Sequence, residues 1–255
     1  MKIISFNLNG IRSAAGKGLF GWLGREAPDV FCVQETKAQP EQMDSVTLRS
    51  LGYEHQMIHS AVKKGYSGVA IFSRLKPDHY VIGMGIREYD IEGRVIRADF
   101  GDLTVVCVYV PSGTTGDIRQ AVKMRFLESF TQYLIDLSRT RRDVVICGDY
   151  NICRTPADIN HPERHVNVSG FLLEERVWFE RFLSLGFTDS FREFNGDLGQ
   201  YSWWSFRAGS REKNLGWRID YHIVSESLKP ALKSAAILRD AVFSDHAPVM
   251  VEIRN

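Results

Sequence analysis

Five short polar islands punctuate this chain, each beside an apolar run: Asn7-Leu8-Asn9, Gln34-Glu35, Gly148-Asp149-Tyr150-Asn151, Asp220 and Ser244-Asp245-His246. The runs Ile3 to Phe6, Val30 to Val33, Val144 to Cys147 and Trp217 to Ile219 read as buried strands. The last island stands just ahead of a closing strand, Pro248 to Ile253. If these strand ends converge, carboxylates, carboxamides and one imidazole face a single spot. Each island alone reads more readily as a turn. Five recurring together are hard to explain as turns alone.

Further strands are expected at Lys2–Phe6, Val30–Val33, Gly68–Phe72, Arg94–Phe100, Leu103–Val110, Asp143–Cys147, Tyr201–Ser205, Arg218–Val224 and Pro248–Ile253, from β-branched and aromatic runs bounded by turn residues. Arg94–Phe100 and Leu103–Val110 form a hairpin across Gly101-Asp102. Helices are expected at Leu19–Glu26, Glu41–Leu51, Ile118–Ser138 and Glu174–Leu185. In the third, Ala121, Met124, Leu127, Phe130, Leu134 and Leu137 recur at helical spacing, while Lys123, Arg125, Glu128 and Asp136 lie elsewhere. In the fourth, Val177, Trp178, Phe182 and Leu185 form the stripe, and Gly186 caps it. Helices and strands mix in both halves, with consecutive strands in each. This points to an α/β chain with two packed sheets flanked by helices rather than one doubly wound parallel sheet. No low-complexity linker divides residues 1–255, so one domain is expected. Both halves follow a course of strand, polar end and helix.

Composition narrows the function classes. A net charge of +1 gives no global pull on nucleic acid, so DNA contacts must rest on local patches. No run approaches the roughly 18–20 apolar residues that span a membrane. The start of the chain carries no cleavable-signal pattern, which points to a bacterial cytoplasm. Cys32, Cys107 and Cys147 lie within apolar runs and Cys153 outside them, with no Cys-x-x-Cys pair, which fits a reducing compartment rather than a disulfide scaffold. His161 and His165 are four apart, but Pro162 makes their segment a loop rather than a zinc-binding helix.

The islands suit phosphodiester hydrolysis at a hard cation. Mg²⁺ is bound by one or two carboxylates plus waters. Glu35 and Asp245 are candidate metal carboxylates, and Asn7 offers a neutral oxygen. Asp149 can take a proton from the attacking water, and Asn151 can hold that aspartate or the phosphate. Asp220 bonded to His246 would fix the imidazole tautomer and favour its cationic form. Tyr109, ahead of Pro111, can donate its phenol to a phosphate oxygen. The stretch from Tyr201 to Tyr221 interleaves aromatic rings with Arg207, Arg211, Lys213 and Arg218, a composition suited to stacking and phosphate contact. Lys63-Lys64-Gly65-Tyr66 is a weaker basic loop.

At these residues the sequence closely resembles the exonuclease III family of apurinic/apyrimidinic endonucleases, within the exonuclease–endonuclease–phosphatase superfamily. The match runs almost end to end: NLNGIRSA, CVQETKA, KKGYSGVAIFS, YVPSG, GDYNI, SGFLLEERVWF, YSWWSFRAGSREKNLGWRIDY and FSDHAPV. The resemblance implies a four-layer αββα sandwich and a Mg²⁺-dependent DNA repair phosphodiesterase, with Mn²⁺ able to stand in. Such an enzyme works as a nucleoid-associated monomer on double-stranded DNA bearing abasic sites or blocked 3′ ends. It cuts 5′ to an abasic site and trims 3′ ends; a primarily 3′→5′ exodeoxyribonuclease is the alternative. By the same resemblance Glu35 is the principal metal ligand, with Asn7 and Asp245 close by, and Asp149 and Asn151 belong to the same metal site. Asp149 positions or deprotonates the water. Asn151, Tyr109 and His246 bind phosphate, and Asp220 partners the histidine. Trp203, Trp217 and Ile219 form a pocket for a flipped-out abasic deoxyribose, with Arg207 and Arg218 beside the substrate. Two departures stand out: Ile152-Cys153-Arg154 where relatives often carry Ile-Ala-His, and Leu172 in place of a usual proline. The segment His161 to His165 is rich in bulky basic groups, and Arg164 or His165 is expected to border DNA and bias internal against terminal cleavage.

Overall fold

The computed structural model describes residues 1–254. Fourteen strands are present among them: β1 (Lys2–Asn7), β2 (Val30–Gln34), β3 (His55–His59), β4 (Val69–Ser73), β5 (His79–Ile82), β6 (Val95–Phe100), β7 (Leu103–Tyr109), β8 (Asp143–Asp149), β9 (Phe187–Asp189), β10 (Trp203–Trp204), β11 (Gly216–Trp217), β12 (Asp220–Ser225), β13 (Leu232–Ile237) and β14 (Val249–Ile253). The α-helices are α1 (Ile11–Gly16), α2 (Leu19–Glu26), α3 (Ser45–Ser50), α4 (Arg87–Asp90), α5 (Asp117–Ser138) and α6 (Leu173–Leu183).

One sheet runs β3-β4-β2-β1-β14-β13 and the other β5-β6-β7-β8-β12-β9, with β10 and β11 forming a separate ribbon. Strand direction repeats between the two sheets. In each, the two central strands are parallel (β1 with β2, β7 with β8) and every other pairing is antiparallel. A parallel pair needs a crossover connection. Helices α1 and α2 supply it in the first sheet and α5 in the second.

The layers follow from the two-residue period of strands. Ile3, Val30 and Cys32 face inward, where they meet Val105, Cys107, Val145 and Cys147 of the opposite sheet. Ile4, Phe31 and Val33 point outward beneath Leu19, Trp22 and Leu23 of α2. On the far side, Val106, Val108 and Ile146 lie under Phe126, Phe130 and Trp178 of α5 and α6. The central strands are buried on both faces, which is why they read as unbroken apolar runs. The result is the expected αββα sandwich, with all four cysteines buried and free. No helix of the described residues is long and apolar enough to cross a membrane.

Several local expectations shift. The strands β3, β5, β9 and β13, absent from the sequence reading, are the four edges of the two sheets. The expected helix over Glu41–Leu51 resolves into a short turn at Pro40–Gln42 and α3, because the Asp44 side chain accepts from Thr47 N–H at 2.9 Å and starts a new helix there. In α6, Phe179 joins Trp178 and Phe182 on the buried face and Val177 is exposed; the helix ends at Leu183, and Leu185 beyond it is exposed as well. In α5, Ala121 is exposed and Lys123 is buried. The run Trp217 to Ile219 is not one strand: β11 ends at Trp217 and β12 begins at Asp220.

Strand β8 reaches its end through Gly148, whose φ of +149° lies where side chains are strained. A Cβ there would sit 1.9 Å from the Val108 carbonyl oxygen of β7. Gly148 therefore lets the central parallel pair close up one residue before Asp149. Gly148→Ala is expected to destabilise the fold by about 3 kcal/mol, in the range of severe backbone clashes. Urea unfolding measures it, and a loss below about 1 kcal/mol would show that the pair relaxes at little cost.

Candidate active site

The parallel pairs place the islands. Strands β1 and β2 end together at Asn7 and Gln34, with Glu35 next in the chain. Strands β7 and β8 end together at Tyr109 and Asp149. The antiparallel neighbour of β8 starts at the same edge, with Asp220 opposite Asp149. His246 arrives just ahead of β14, held by the bond from Ala247 N–H to the Ser202 carbonyl at 2.6 Å. Residues far apart in the chain thus line one cavity of about 340 Å³, including Glu35, Tyr109, Asp149, Asn151, Asp245 and His246.

Asp149 is the centre of this group. Its Oδ2 accepts from the Asn7 amide at 2.8 Å, and its Oδ1 accepts from Asn151 N–H at 2.8 Å. Burial, then the nearby Asp220 carboxylate, pushes its pKa up to about 7. The same Asn7 amide donates to Glu35 Oε1 at 2.9 Å. The Asn7 oxygen accepts from Asn9 N–H at 3.0 Å, so the residue presents its amide group to the carboxylates rather than the neutral oxygen expected for a cation. Burial would raise the Glu35 pKa, but Lys37 at 2.8 Å and the Asn7 bond outweigh it and hold the group ionised below its ordinary value.

The Asp220–His246 pair forms as expected, with Nδ1 donating to Asp220 Oδ2 at 2.9 Å. Nothing in the sequence marks Ser202, yet its buried hydroxyl donates to Asp220 Oδ2 at 2.6 Å and accepts from the N–H groups of Ile219 and Asp220. Burial would lower the His246 pKa. Asp220 overrides it, with help from Asp149 and Asp245, and raises it to about 10. Nε2 of this imidazolium lies 3.9 Å from Asp149 Oδ2. Burial, followed by Glu35 and Asp149, drives the Tyr109 phenol far above its ordinary pKa, so it stays a donor. The Arg94 guanidinium lies 4.9 Å from the centre of the Tyr109 ring.

Trp203, Trp217 and Ile219 line one side of the same cavity. Trp203 and Trp217 meet edge to face at 5.9 Å between ring centres and pack with Ile219, Phe171 and Ile159. Asp245 joins the cavity rim, its oxygens taken by Asn9, Ser244 and the Trp203 indole at 3.0–3.1 Å. Asn151 donates its amide to the Val110 carbonyl at 2.9 Å. The two arginines expected beside the substrate part company. Arg207 is exposed on the turn after β10. Arg218 is buried, bonded to Asp158 and Asp189 at 2.6–3.2 Å, and its guanidinium faces protein rather than DNA. An arginine beside a tryptophan looks the same in sequence whether its partner is phosphate or a buried carboxylate. His165 packs edge-on to Trp217 at 5.1 Å, and Arg164 is exposed beside Glu163.

Ligand atoms of Glu35, Asp149 and His246 all lie within 4.8 Å of one another, a group that could hold a metal ion. Two carboxylates suit a hard cation. The imidazolium has no free lone pair, so it contributes charge and a donor rather than a ligand. Glu35 Oε1 and Asp149 Oδ2 share the one Asn7 amide between them, and a divalent cation fits the negative charge gathered there. The His246 pKa rises on folding from an ordinary value near 6.5, so the pair's stabilisation is complete below pH ~6.5 and fades as pH climbs towards 10. In chelator, the melting difference between wild type and Asp220→Asn is expected to shrink from pH 6 to pH 10. A constant difference across that range would remove the charged pair.

The model of the Endonuclease/Exonuclease/phosphatase family matches residues 4–246. An exodeoxyribonuclease of Bacillus subtilis is 44% identical over 98% of each chain. A DNA-(apurinic or apyrimidinic site) endonuclease of Dictyostelium discoideum is 38% identical over 99% of this chain and 70% of its own length. The solved 3′-5′ exonuclease (NExo) of Neisseria meningitidis superposes with a TM-score of 0.92 at 29% identity, covering 100% of each chain. With its sandwich, its converging strand ends and these relatives, the chain belongs to the endonuclease/exonuclease/phosphatase family, as a nuclease of the exonuclease III type.

Proposed function

We propose that this protein is a Mg²⁺-dependent DNA repair phosphodiesterase that cuts 5′ to an abasic site, leaves a 3′-hydroxyl and trims blocked 3′ ends. It acts on double-stranded DNA as a monomer in the bacterial cytoplasm. One observation carries this reading: a single cavity has an ionic floor of Asp149, His246 and Glu35 and an apolar wall of Trp203, Trp217 and Ile219. A phosphodiester suits the floor. A sugar lacking its base suits the wall, and such a nucleotide is extruded from a duplex at less cost than a paired one.

The residues divide the work. Asp149, fixed through both oxygens by Asn7 and Asn151, takes the proton of the attacking water. The His246 imidazolium and the Tyr109 phenol donate to phosphate oxygens as negative charge builds there. A Mg²⁺ ion held by Glu35 and Asp149, with Asp245 close by, would supply Lewis acidity to the phosphate and the leaving oxygen. Asp220 keeps the imidazole charged and oriented, and Ser202 orients Asp220.

The loop that carries Arg164 and His165 bears on the balance between internal and terminal cutting. His165 lies edge-on to Trp217 and supports that ring of the apolar wall from outside the cavity lining. Replacing Arg164 and His165 together with glycine is expected to change the ratio of internal cutting to 3′ trimming. An unchanged ratio removes this loop from specificity.

A duplex carrying one internal tetrahydrofuran, incubated with Mg²⁺, tests the main reading. A single internal cut is expected. A ladder from the 3′ end would make the enzyme primarily an exonuclease, and retention without cleavage a binding module. Asp149→Ala and His246→Ala should each lower turnover by about 100- to 10,000-fold with the fold intact. Glu35→Ala should raise the Mg²⁺ concentration needed for half-maximal rate, and unchanged metal dependence would take Glu35 out of the site.

A further inference from the structure

Lys123 lies on α5 with its side chain wholly inaccessible, and Glu175 on α6 is equally buried. An uncompensated charge in such surroundings is costly, so each must be matched by specific partners. The partners found lead directly to the cavity. Lys123 Nζ pairs with Glu175 Oε1 and donates to the Asn151 carbonyl at 2.8 Å. Glu175 Oε2 accepts from the N–H groups of Gly170 and Leu172 at 2.7 and 2.9 Å.

Both anchored segments belong to the site. Asn151 stands at φ +52°, the left-handed backbone that asparagine adopts more readily than most residues, and its N–H holds Asp149 Oδ1. Gly170, at φ +100°, lies so close to the site that a Cβ would be 2.7 Å from the Trp217 ring and 3.2 Å from the Asn151 carbonyl oxygen. One buried ion pair therefore grips the turn that carries the general base and the wall that faces it. No atom of the pair lines the cavity, since the lining residues stop at Asn151 and Gly170.

We infer that Lys123 and Glu175 are positioning residues for turnover, holding Asp149 and the Gly170 wall in register for attack on the phosphorus. The inference rests on the phosphodiesterase reading above. A displacement of about 1 Å at a reacting group costs up to about 100-fold in rate, so loosening this grip is read in turnover before affinity.

The test separates positioning from support. Lys123→Met alone leaves Glu175 buried without a cation and is expected to lower the melting midpoint. The double variant Lys123→Met/Glu175→Gln removes both charges, while the glutamine oxygen still accepts from Gly170 and Leu172. It is expected to recover most of the melting midpoint. Its kcat on the tetrahydrofuran duplex, measured well below that midpoint, is expected to stay about 10- to 100-fold down, with KM within about 3-fold of wild type. Wild-type kcat in the folded double variant overturns the inference, as does a rise in KM that accounts for the whole loss. Should the double variant not fold, Glu175→Gln alone decides. It faces Lys123 with an amide rather than a carboxylate, and a folded Glu175→Gln is expected to show the same turnover loss. Wild-type turnover there, or loss of fold in both variants, makes the pair a stability element only. Absence of cleavage by the wild-type protein is a separate result, and it falls on the phosphodiesterase reading.

Discussion

The amide of Asn7 ties the two sheets together where the chemistry sits. From the end of β1 it donates to Glu35, just past β2 of its own sheet, and to Asp149, the last residue of β8 in the other. Two carboxylates brought this close repel one another. A neutral donor between them keeps both in place without discharging either. Around that contact the repeated strand pattern becomes intelligible. The central strands of each sheet must end at the same edge for a carboxylate from one to approach a carboxylate from the other. The antiparallel neighbours then begin at that edge, which delivers Asp220 and His246.

Much of this was legible in the sequence because the central strands are buried on both faces and so carry unbroken apolar runs. The polar residues closing them had no competing role as core. The four edge strands were not legible, for the converse reason. Strands such as His55–His59 and His79–Ile82 are short and partly or largely exposed, and pairing rather than composition makes them strands. Residues that act through another residue were hidden too. Ser202 looks like any serine near a turn. Lys123 reads in sequence as one of the charged residues off the apolar stripe of α5, where a lysine is expected to point to water, and the fold buries it. Arg218 shows the opposite error: its surroundings in sequence suited a phosphate, and the fold gave it Asp158 and Asp189 instead.

The electrostatics of the cavity are asymmetric in a way that suits its chemistry. Asp149 is hard to ionise and His246 is hard to deprotonate, and the two face each other at 3.9 Å. Both groups shift in the same direction, so near neutrality a titrating carboxyl stands beside an imidazolium that stays charged. Burial works with the shift of Asp149 and against that of His246, which owes its charge to the carboxylates around it.

The pairing of β1 with β14 carries a consequence for how the protein comes to life. The strand that brings Asn7 hydrogen-bonds to the strand that follows His246, so Lys2 lies opposite Glu252. A pairing of such long sequence separation closes a loop of nearly the whole chain, and that entropy must be met before the contact is rewarded. His246 is held next to β14, so the imidazole and the Asn7 amide share one site only when the two ends of the chain are joined. Regain of activity during refolding therefore reports the joining of the chain ends, which regain of helix alone does not.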